Sequence, residues 1–424
     1  MRNYLILLII LAFTGQIVFA AKSVINTQCQ KNEDTGQVAG LNTNQVFTIA
    51  SVSKVFTTHW AVTKLGARYR FQNKIHITPI SQNVYDVHIE GDKFPYFDRT
   101  MFQFLATELN KLGVKQINFL TYDENFEYAS IVRTNKKLAH QYNDQDEKEI
   151  MQELRKDVTT INTNLVTLSA RALTLEKLKL PTKVSLTIRD IHYRAKNDFN
   201  AAGNTLSYLF ESSELFRTLK EMNRNSHNFA ADKIYEKLSE TEDYSQFIVD
   251  RVKISPQEIS FHNGSGYPIE NSEGKFYNKA SCAAVVEMMH DLRKTLTQTE
   301  FNFQDIMPVA GKDSVTDGTS TVTQIYGNAF TSGALIAKTG TVADTIALAG
   351  LFITEKESLF FHTSYKYDGS DSGRTLAYLN IREWVTSILK KNGTDDALAN
   401  YTPRAFFPFD SQSSLKPILT TQLP

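Results

Sequence analysis

The sequence predicts a mixed α/β (α+β) fold, and three observations carry that prediction. The final third alternates strand-like apolar runs, at 334–337, 345–353 and 358–364, and closes on a helical pattern near 373–391. An early helical pattern occupies 47–65, where Val52, Val55, Phe56, Trp60 and Leu65 recur at helical intervals and Gly66 supplies a natural stop. Late strands packed with the first and last helices imply a sheet covered by helices.

The intervening elements follow in order. Residues 74–90 alternate apolar and polar through Ile75, Ile77, Val84, Val87 and Ile89, a strand pattern. A helix over 98–112 and a strand over 116–121 come next. Residues 143–175 are polar but carry Ile150, Leu154, Val158, Ile161 and Leu165 on one stripe, which predicts helix. A strand at 183–188 precedes helices at 199–211, 213–223 and 229–238, with another at 282–296. No repeat and no low-complexity tract interrupts the chain.

Composition excludes several functions. Lys+Arg 46 balance Asp+Glu 46, so no basic field points to nucleic acid. The nine histidines show no metal-ligand spacing, and two cysteines make neither a zinc site nor a disulfide scaffold. An oxidising compartment would permit a Cys29–Cys282 bond, but the sequence leaves that open. At the N-terminus Arg2, the apolar run 4–11, Gly15 and Val18-Phe19-Ala20 follow the order of a secretory signal peptide over 1–20. No later apolar stretch is long enough to cross a bilayer.

The chemistry centres on Ser51-Val52-Ser53-Lys54. Three residues apart on a helix, Ser51 and Lys54 share one face. A serine in the first turn feels the positive end of the helix dipole, and burial lowers the pKa of the lysine so that its amine can take the serine proton. The pattern alone is cheap: Ser272-Glu273-Gly274-Lys275 and Ser413-Ser414-Leu415-Lys416 also match, but neither opens an apolar-periodic helix. Downstream, Ser226-His227-Asn228 offers a hydroxyl and an amide at a helix start, although Ser81-Gln82-Asn83 shows how easily that triplet arises. Lys338-Thr339-Gly340-Thr341 follows an apolar strand and offers a cation for a carboxylate, a glycine for close approach, and a hydroxyl.

S-x-x-K, then S-x-N, then K-T-G is the motif order of β-lactamases and penicillin-binding proteins. Within that group the chain resembles the D-alanyl-D-alanine carboxypeptidase/endopeptidases of the type-four low-molecular-mass penicillin-binding proteins, peptidase family S13. The resemblance rests on ASVSKVFT at 50–57, LGARYRF at 65–71, SSELFRTLKEMNRNSHNFAAD at 212–232, HNGSGYP at 262–268, AKTGT at 337–341 and LAG at 348–350. It implies a penicillin-binding/β-lactamase-like transpeptidase fold, with a central antiparallel sheet covered by helices and a smaller inserted α/β domain. The implied division is a catalytic domain from 21–70 and 200–400, an inserted domain over 71–199, and a tail over 401–424 whose prolines exclude a long amphipathic membrane helix. The segment between Ser51 and Ser226 is short for the family, so one of two usual inserts is expected to be missing or reduced.

The resemblance also implies roles. Ser51 would be the nucleophile, Lys54 its general base, and Ser226 the proton relay. Asn228 would hydrogen-bond substrate and hold Lys54, while Lys338, Thr339, Gly340 and Thr341 would bind the substrate strand and its terminal carboxylate. Backbone N–H groups of Ser51 and Thr341 would form the oxyanion hole. No metal or cofactor is needed, and β-lactams are expected as covalent inhibitors. The expected substrates are peptidoglycan peptides, met in the periplasm after export and without a stable membrane anchor. Two alternatives remain at this point: a β-lactamase, for which no deacylating carboxylate is identifiable, and a non-enzymatic penicillin-binding sensor or scaffold. The sequence departs from the family at Asn263-Gly264-Ser265-Gly266-Tyr267-Pro268, where the family has an acid first and a smaller residue in place of the tyrosine. His227 is expected to turn away from the cleft as a packed or solvated residue.

Overall fold

The computed structural model of the protein describes residues 23–129, 147–313, 320–394, 398 and 400–418, so the export signal expected at 1–20 lies outside the described residues. The three late strands, Leu335–Val342, Thr345–Ile353 and Ser358–Tyr367, form a five-stranded antiparallel sheet with the N-terminal strands Ser23–Asn32 and Val38–Leu41. Thr345–Ile353 is buried on both faces because helices cover both. Ile346, Leu348 and Phe352 face the helix Asp371–Asn392, through Ala377, Ile381, Val385 and Leu389. Ala347, Ala349 and Leu351 face the opposite cluster, where the helices Ser53–Leu65 and Cys282–Thr297 bring Val55, Phe56, Val285 and Met289. Successive residues of a strand point to opposite faces, and the small Ala347 and Ala349 leave room for helix on that side.

The early helix begins later than its pattern suggests. Val46–Thr48 is a strand paired with Lys279–Ser281, Ala50–Val52 is a 3-10 turn, and the helix proper is Ser53–Leu65. Gly66 ends it at φ +84°, donating its N–H to Val62 O at 3.0 Å.

The chain between that helix and the S-x-N segment builds a second, six-stranded mixed sheet. Its order is Lys416–Pro417, Leu206–Glu211, Gln72–Ser81, Val84–Glu90, Gln116–Tyr122, Thr187–Tyr193. Ile75, Ile77, Val87, Ile89, Ile117 and Leu120 point to a core shared with the helices Arg99–Lys111, Glu147–Thr159 and Ile161–Glu176. Residues 143–146 lie outside the described residues, and Thr160 divides the remainder of the expected helix.

Two sequence expectations are corrected here. The helix expected at 199–211 is absent: 199–205 hold no helix, and 206–211 form a strand, Leu206–Glu211, that hydrogen-bonds to Gln72–Ser81, a distant pairing that decides a short apolar run whose periodicity is ambiguous. The strand expected at 183–188 starts at Thr187. Val184 is instead held by Asn162, which donates to Val184 O at 3.0 Å and accepts from Val184 N at 2.8 Å. The helix Tyr244–Val252, capped by Asp243, has no counterpart in the sequence reading.

The tail packs on the body. Phe409 stacks on Phe104 at 4.0 Å, Phe406 meets Tyr96 at 4.8 Å, and Arg70 donates to both carboxylate oxygens of Asp410 at 3.0 and 2.9 Å. Among the described residues no helix is long and apolar enough to cross a membrane.

Cys29 and Cys282 form a disulfide between the first strand and the helix it starts. The bond closes a loop of most of the chain, which restricts the unfolded state strongly. Replacing both cysteines by alanine is expected to cost about 2–5 kcal/mol of stability, read as a lower midpoint in chemical denaturation. An unchanged midpoint would contradict it.

Candidate active site

Ser51 sits in the 3-10 turn that feeds the Ser53 helix, and Lys54 follows one turn later, fully buried. Its Nζ lies 3.0 Å from Ser51 Oγ, 2.7 Å from Asn228 Oδ1 and 2.8 Å from the carbonyl oxygen of Ser265. Burial lowers the Lys54 pKa to about 7, against the opposing pull of the Asp232 carboxylate. Burial in turn raises Asp232 to about 6, opposed by Lys54. A neutral amine is therefore accessible near neutral pH, and its lone pair is placed to accept the Ser51 hydroxyl proton.

The turn that presents Ser51 is strained and buttressed. Ala50 adopts φ 48°, a left-handed conformation costing on the order of 1–3 kcal/mol for a residue with a side chain. Its carbonyl accepts from Ser53 Oγ at 2.7 Å. Against the same carbonyl lies Gly266, at φ +74°, where an added Cβ would stand 2.0 Å from Ala50 O. The loop around it is pinned on both sides. Thr57 Oγ1 donates to Gly264 O at 2.8 Å, Asn263 accepts from Gly266 N at 2.8 Å and donates to Tyr267 O at 2.7 Å, and Ser265 N donates to Asp232 at 2.8 Å. Asn263 therefore uses both halves of its amide, where an acid could only accept.

Ser226 ends the helix Leu215–Asn225 in a left-handed cap, φ 55°, and Asn228 opens the next, Asn228–Ser239. Between them His227 caps that helix, its Nδ1 accepting from Ala230 N at 3.2 Å, with its ring against Tyr96 at 5.3 Å. Burial, aided by the Lys54 charge, lowers its pKa to about 4. His227 is thus a neutral, packed cap at the cleft wall.

Lys338 Nζ donates to Ser226 Oγ at 2.9 Å and to Thr339 O at 2.7 Å. It too is fully buried, and burial together with the Lys54 charge holds its pKa well below the ordinary lysine value. Thr339 Oγ1 donates to Thr321 Oγ1 at 2.8 Å, and Thr341 Oγ1 shares a hydrogen bond with the Tyr378 hydroxyl at 2.8 Å. At the outer edge of the sheet, Ala337 N–H donates to Pro308 O at 3.0 Å. By strand alternation the N–H groups of Thr339 and Thr341 face the same open side. Gly340 brings the strand against the nucleophile turn, since a Cβ there would lie 2.8 Å from Ile49 O and 3.2 Å from Ser51 N.

The fold thus gathers the residues of all three motifs around one open cleft of about 1020 Å³, with Ser51, Ser226, Asn228, Thr339 and Thr341 on its walls. The sequence reading did not single out Asp232, the Ser265 carbonyl, Thr321 or Tyr378. Asp232 stands four residues after Asn228, one helical turn on, and that spacing is its only sequence signal.

The family model described as D-Ala-D-Ala carboxypeptidase 3 (S13) matches residues 21–172 and 193–375. Among solved structures, the chain is similar to Bd3459, a predatory peptidoglycan endopeptidase from Bdellovibrio bacteriovorus. The identity is 31%, over 94% of this chain and 100% of that one, with a TM-score of 0.84. Bd3459 has also been captured acylated by penicillin G, in complex with the immunity protein Bd3460. The Bd0816 predatory endopeptidase of the same bacterium, in complex with that immunity protein, is 30% identical over 93% of this chain and 100% of its own, TM-score 0.83. Penicillin binding protein 4 (dacB) from Haemophilus influenzae shares the fold at 15% identity, over 86% of this chain and 96% of that one, TM-score 0.59. No curated protein sequence matches.

The buttress makes a specific demand at residue 266. Gly266→Ala is expected to destabilise the protein by about 1–3 kcal/mol and to slow reaction of Ser51 with an acylating inhibitor. Thermal unfolding and inhibitor-labelling rates check this, and wild-type values in both would contradict it.

Proposed function

The chain belongs to the D-Ala-D-Ala carboxypeptidase 3 (S13) family, and from that premise we propose that it is a serine DD-peptidase of peptidoglycan, cleaving cross-links as well as terminal D-Ala-D-Ala. The observation that carries the reading is the position of Lys54. Its amine is buried, depressed to about 7 and 3.0 Å from Ser51 Oγ, which makes it a base matched to its nucleophile.

In the proposed reaction Lys54 takes the Ser51 proton as Oγ attacks the carbonyl carbon of the penultimate D-alanine. The oxyanion is held by the N–H groups of Ser51 and Thr341, which the close approach at Gly340 brings towards each other. Ser226, between the Lys338 amine and the cleft, relays the proton that Lys54 took to the leaving amine as the C–N bond breaks, which leaves an acyl-enzyme and a neutral Lys54 amine. Water, deprotonated by Lys54, then attacks the ester carbonyl; the bond to Ser51 Oγ breaks, and Lys54 returns the proton to Oγ as the product acid leaves. Lys338 and Thr339 would receive a substrate carboxylate. Among the described residues no carboxylate is a hydrogen-bond partner of Lys338, so an incoming anion would favour its charged form.

Cleavage of cross-links needs only a different leaving amine, the side-chain amine of a second stem peptide. The open cleft and the endopeptidase relatives at 30–31% identity support that extension. A periplasmic location is supported by the cell-wall substrate, the signal-like residues 1–20 and the disulfide.

The test is digestion of purified peptidoglycan followed by separation of the muropeptides. Wild type is expected to convert cross-linked dimers to monomers, and Ser51→Ala to lose roughly 10⁴-fold or more of that activity. Intact dimers beside trimmed monomeric pentapeptides would sink the endopeptidase half. Equal activity in Ser51→Ala would sink the whole reading.

A further inference from the structure

The six-stranded sheet buries one face and leaves part of the other open. Alternation along Gln72–Ser81 and Val84–Glu90 sends Ile75, Ile77, Val87 and Ile89 to the core and turns His76 and His88 to the opposite face. The strands pair in register, so that His76 stands opposite His88, His88 opposite Thr121, and Thr121 opposite His192. A row of polar side chains therefore crosses four adjacent strands. Beside it Thr78 faces Asp86, whose carboxylate accepts from the backbone N–H of Phe119 at 3.1 Å. The segment after Thr187–Tyr193 folds over one end, where Phe199 lies flat on His88 at 4.0 Å and Arg194 covers Phe199 at 5.5 Å. What remains is a groove of about 890 Å³, lined by another sheet than the Ser51 cleft.

The charges around this groove are largely matched from within. Asp86 also accepts from Asn118 at 3.0 Å, and Asp190 pairs with Arg155 and with His192 at 2.9 Å. Glu90 is held by Lys74 at 3.1 Å and Lys196 at 3.2 Å. Burial, with His76 and Arg194 nearby, depresses the His88 pKa to about 4 and keeps that ring neutral. Arg194 donates through Nε to Asp198 O at 3.1 Å and is the one cation facing the groove without a carboxylate at hydrogen-bonding distance among the described residues. Into this setting projects the Phe119 side chain, 36% exposed and 5.4 Å from the His192 ring. An exposed aromatic face bordered by imidazole, hydroxyl and amide groups matches a ligand with apolar C–H faces and many uncharged hydroxyl or acetamido groups. It matches a highly charged polymer poorly.

We propose that this groove is a carbohydrate subsite for the glycan strand of peptidoglycan. The proposal rests on the peptidoglycan reading above. Phe119 would carry the sugar face, and His192, Thr78 and Arg194 would bond its polar groups.

The experiment uses the full chain and two substrates. Ser51→Ala protein, which cannot turn over, is titrated with peptide-free glycan strands, with and without Phe119→Ala. In parallel, otherwise wild-type enzyme and its Phe119→Ala form are assayed on intact sacculi and on soluble cross-linked muropeptides. Saturable glycan binding is expected, weakened about fivefold or more by Phe119→Ala and retained in Phe119→Tyr. The KM on sacculi should rise by a similar factor, with kcat, hydrolysis of soluble muropeptides and penicillin labelling unchanged. No binding of peptide-free glycan, binding indifferent to Phe119→Ala, or occupation of the groove by a protein in its place would overturn the proposal. Failure of the enzymatic reading shows separately, as loss of soluble muropeptide cleavage by wild type.

Discussion

One buried amine constrains the rest of the structure. An ammonium taken out of water costs several kcal/mol unless its hydrogens and charge are met, and Lys54 is taken out completely. Its needs are met from three directions: the serine one turn behind it, an amide on the Asn228 helix, and a backbone carbonyl from the 263–266 loop. Each supplier must be positioned in turn. The Asn228 helix is capped by His227, and the loop can reach under the nucleophile turn only because residue 266 is glycine. Asp232 ties these two suppliers together through Ser265 N and tempers the lysine's loss of charge. The compensation stops short of completeness, and that shortfall leaves the amine able to shed its proton.

A second buried lysine completes the electrostatics. Lys338 reaches Ser226 from the sheet edge, so both cleft serines are hydrogen-bonded to lysines, and the Lys54 charge disfavours that of Lys338. A cleft with two such amines is predisposed towards a ligand that carries a negative group at one end. The cation-bearing strand lies against the nucleophile turn through Gly340, so the anion pocket and the reacting serine are set by the same backbone contact.

How much of this was legible in the sequence depended on whether an interaction was local. Ser51 and Lys54 are readable because one helical turn joins them. The decoys fail for reasons their neighbourhoods reveal: Ser272 sits in an exposed turn between the strands Ile269–Asn271 and Gly274–Phe276, and Ser413 is a buried turn residue whose Oγ accepts from Asp410 N. The order of the three motifs substituted for the long-range contacts that join them. Where a distant strand decides, the pattern misleads, as at 206–211, or slides, as at 183–188, where Asn162 claims Val184. The Ser265 carbonyl is invisible because it is backbone, and the histidine row across the second sheet is invisible because it is made by register alone.

The central claim is that Lys54 acts as a neutral amine, and the pH dependence of Ser51 acylation by penicillin G tests it most directly. The ammonium cannot accept the serine proton, so raising the pH through the Lys54 pKa converts an inactive form to an active one. The second-order rate should therefore climb through pH about 7 and level off above it. A rate that stays low through neutrality and climbs only near the ordinary lysine value would contradict the account.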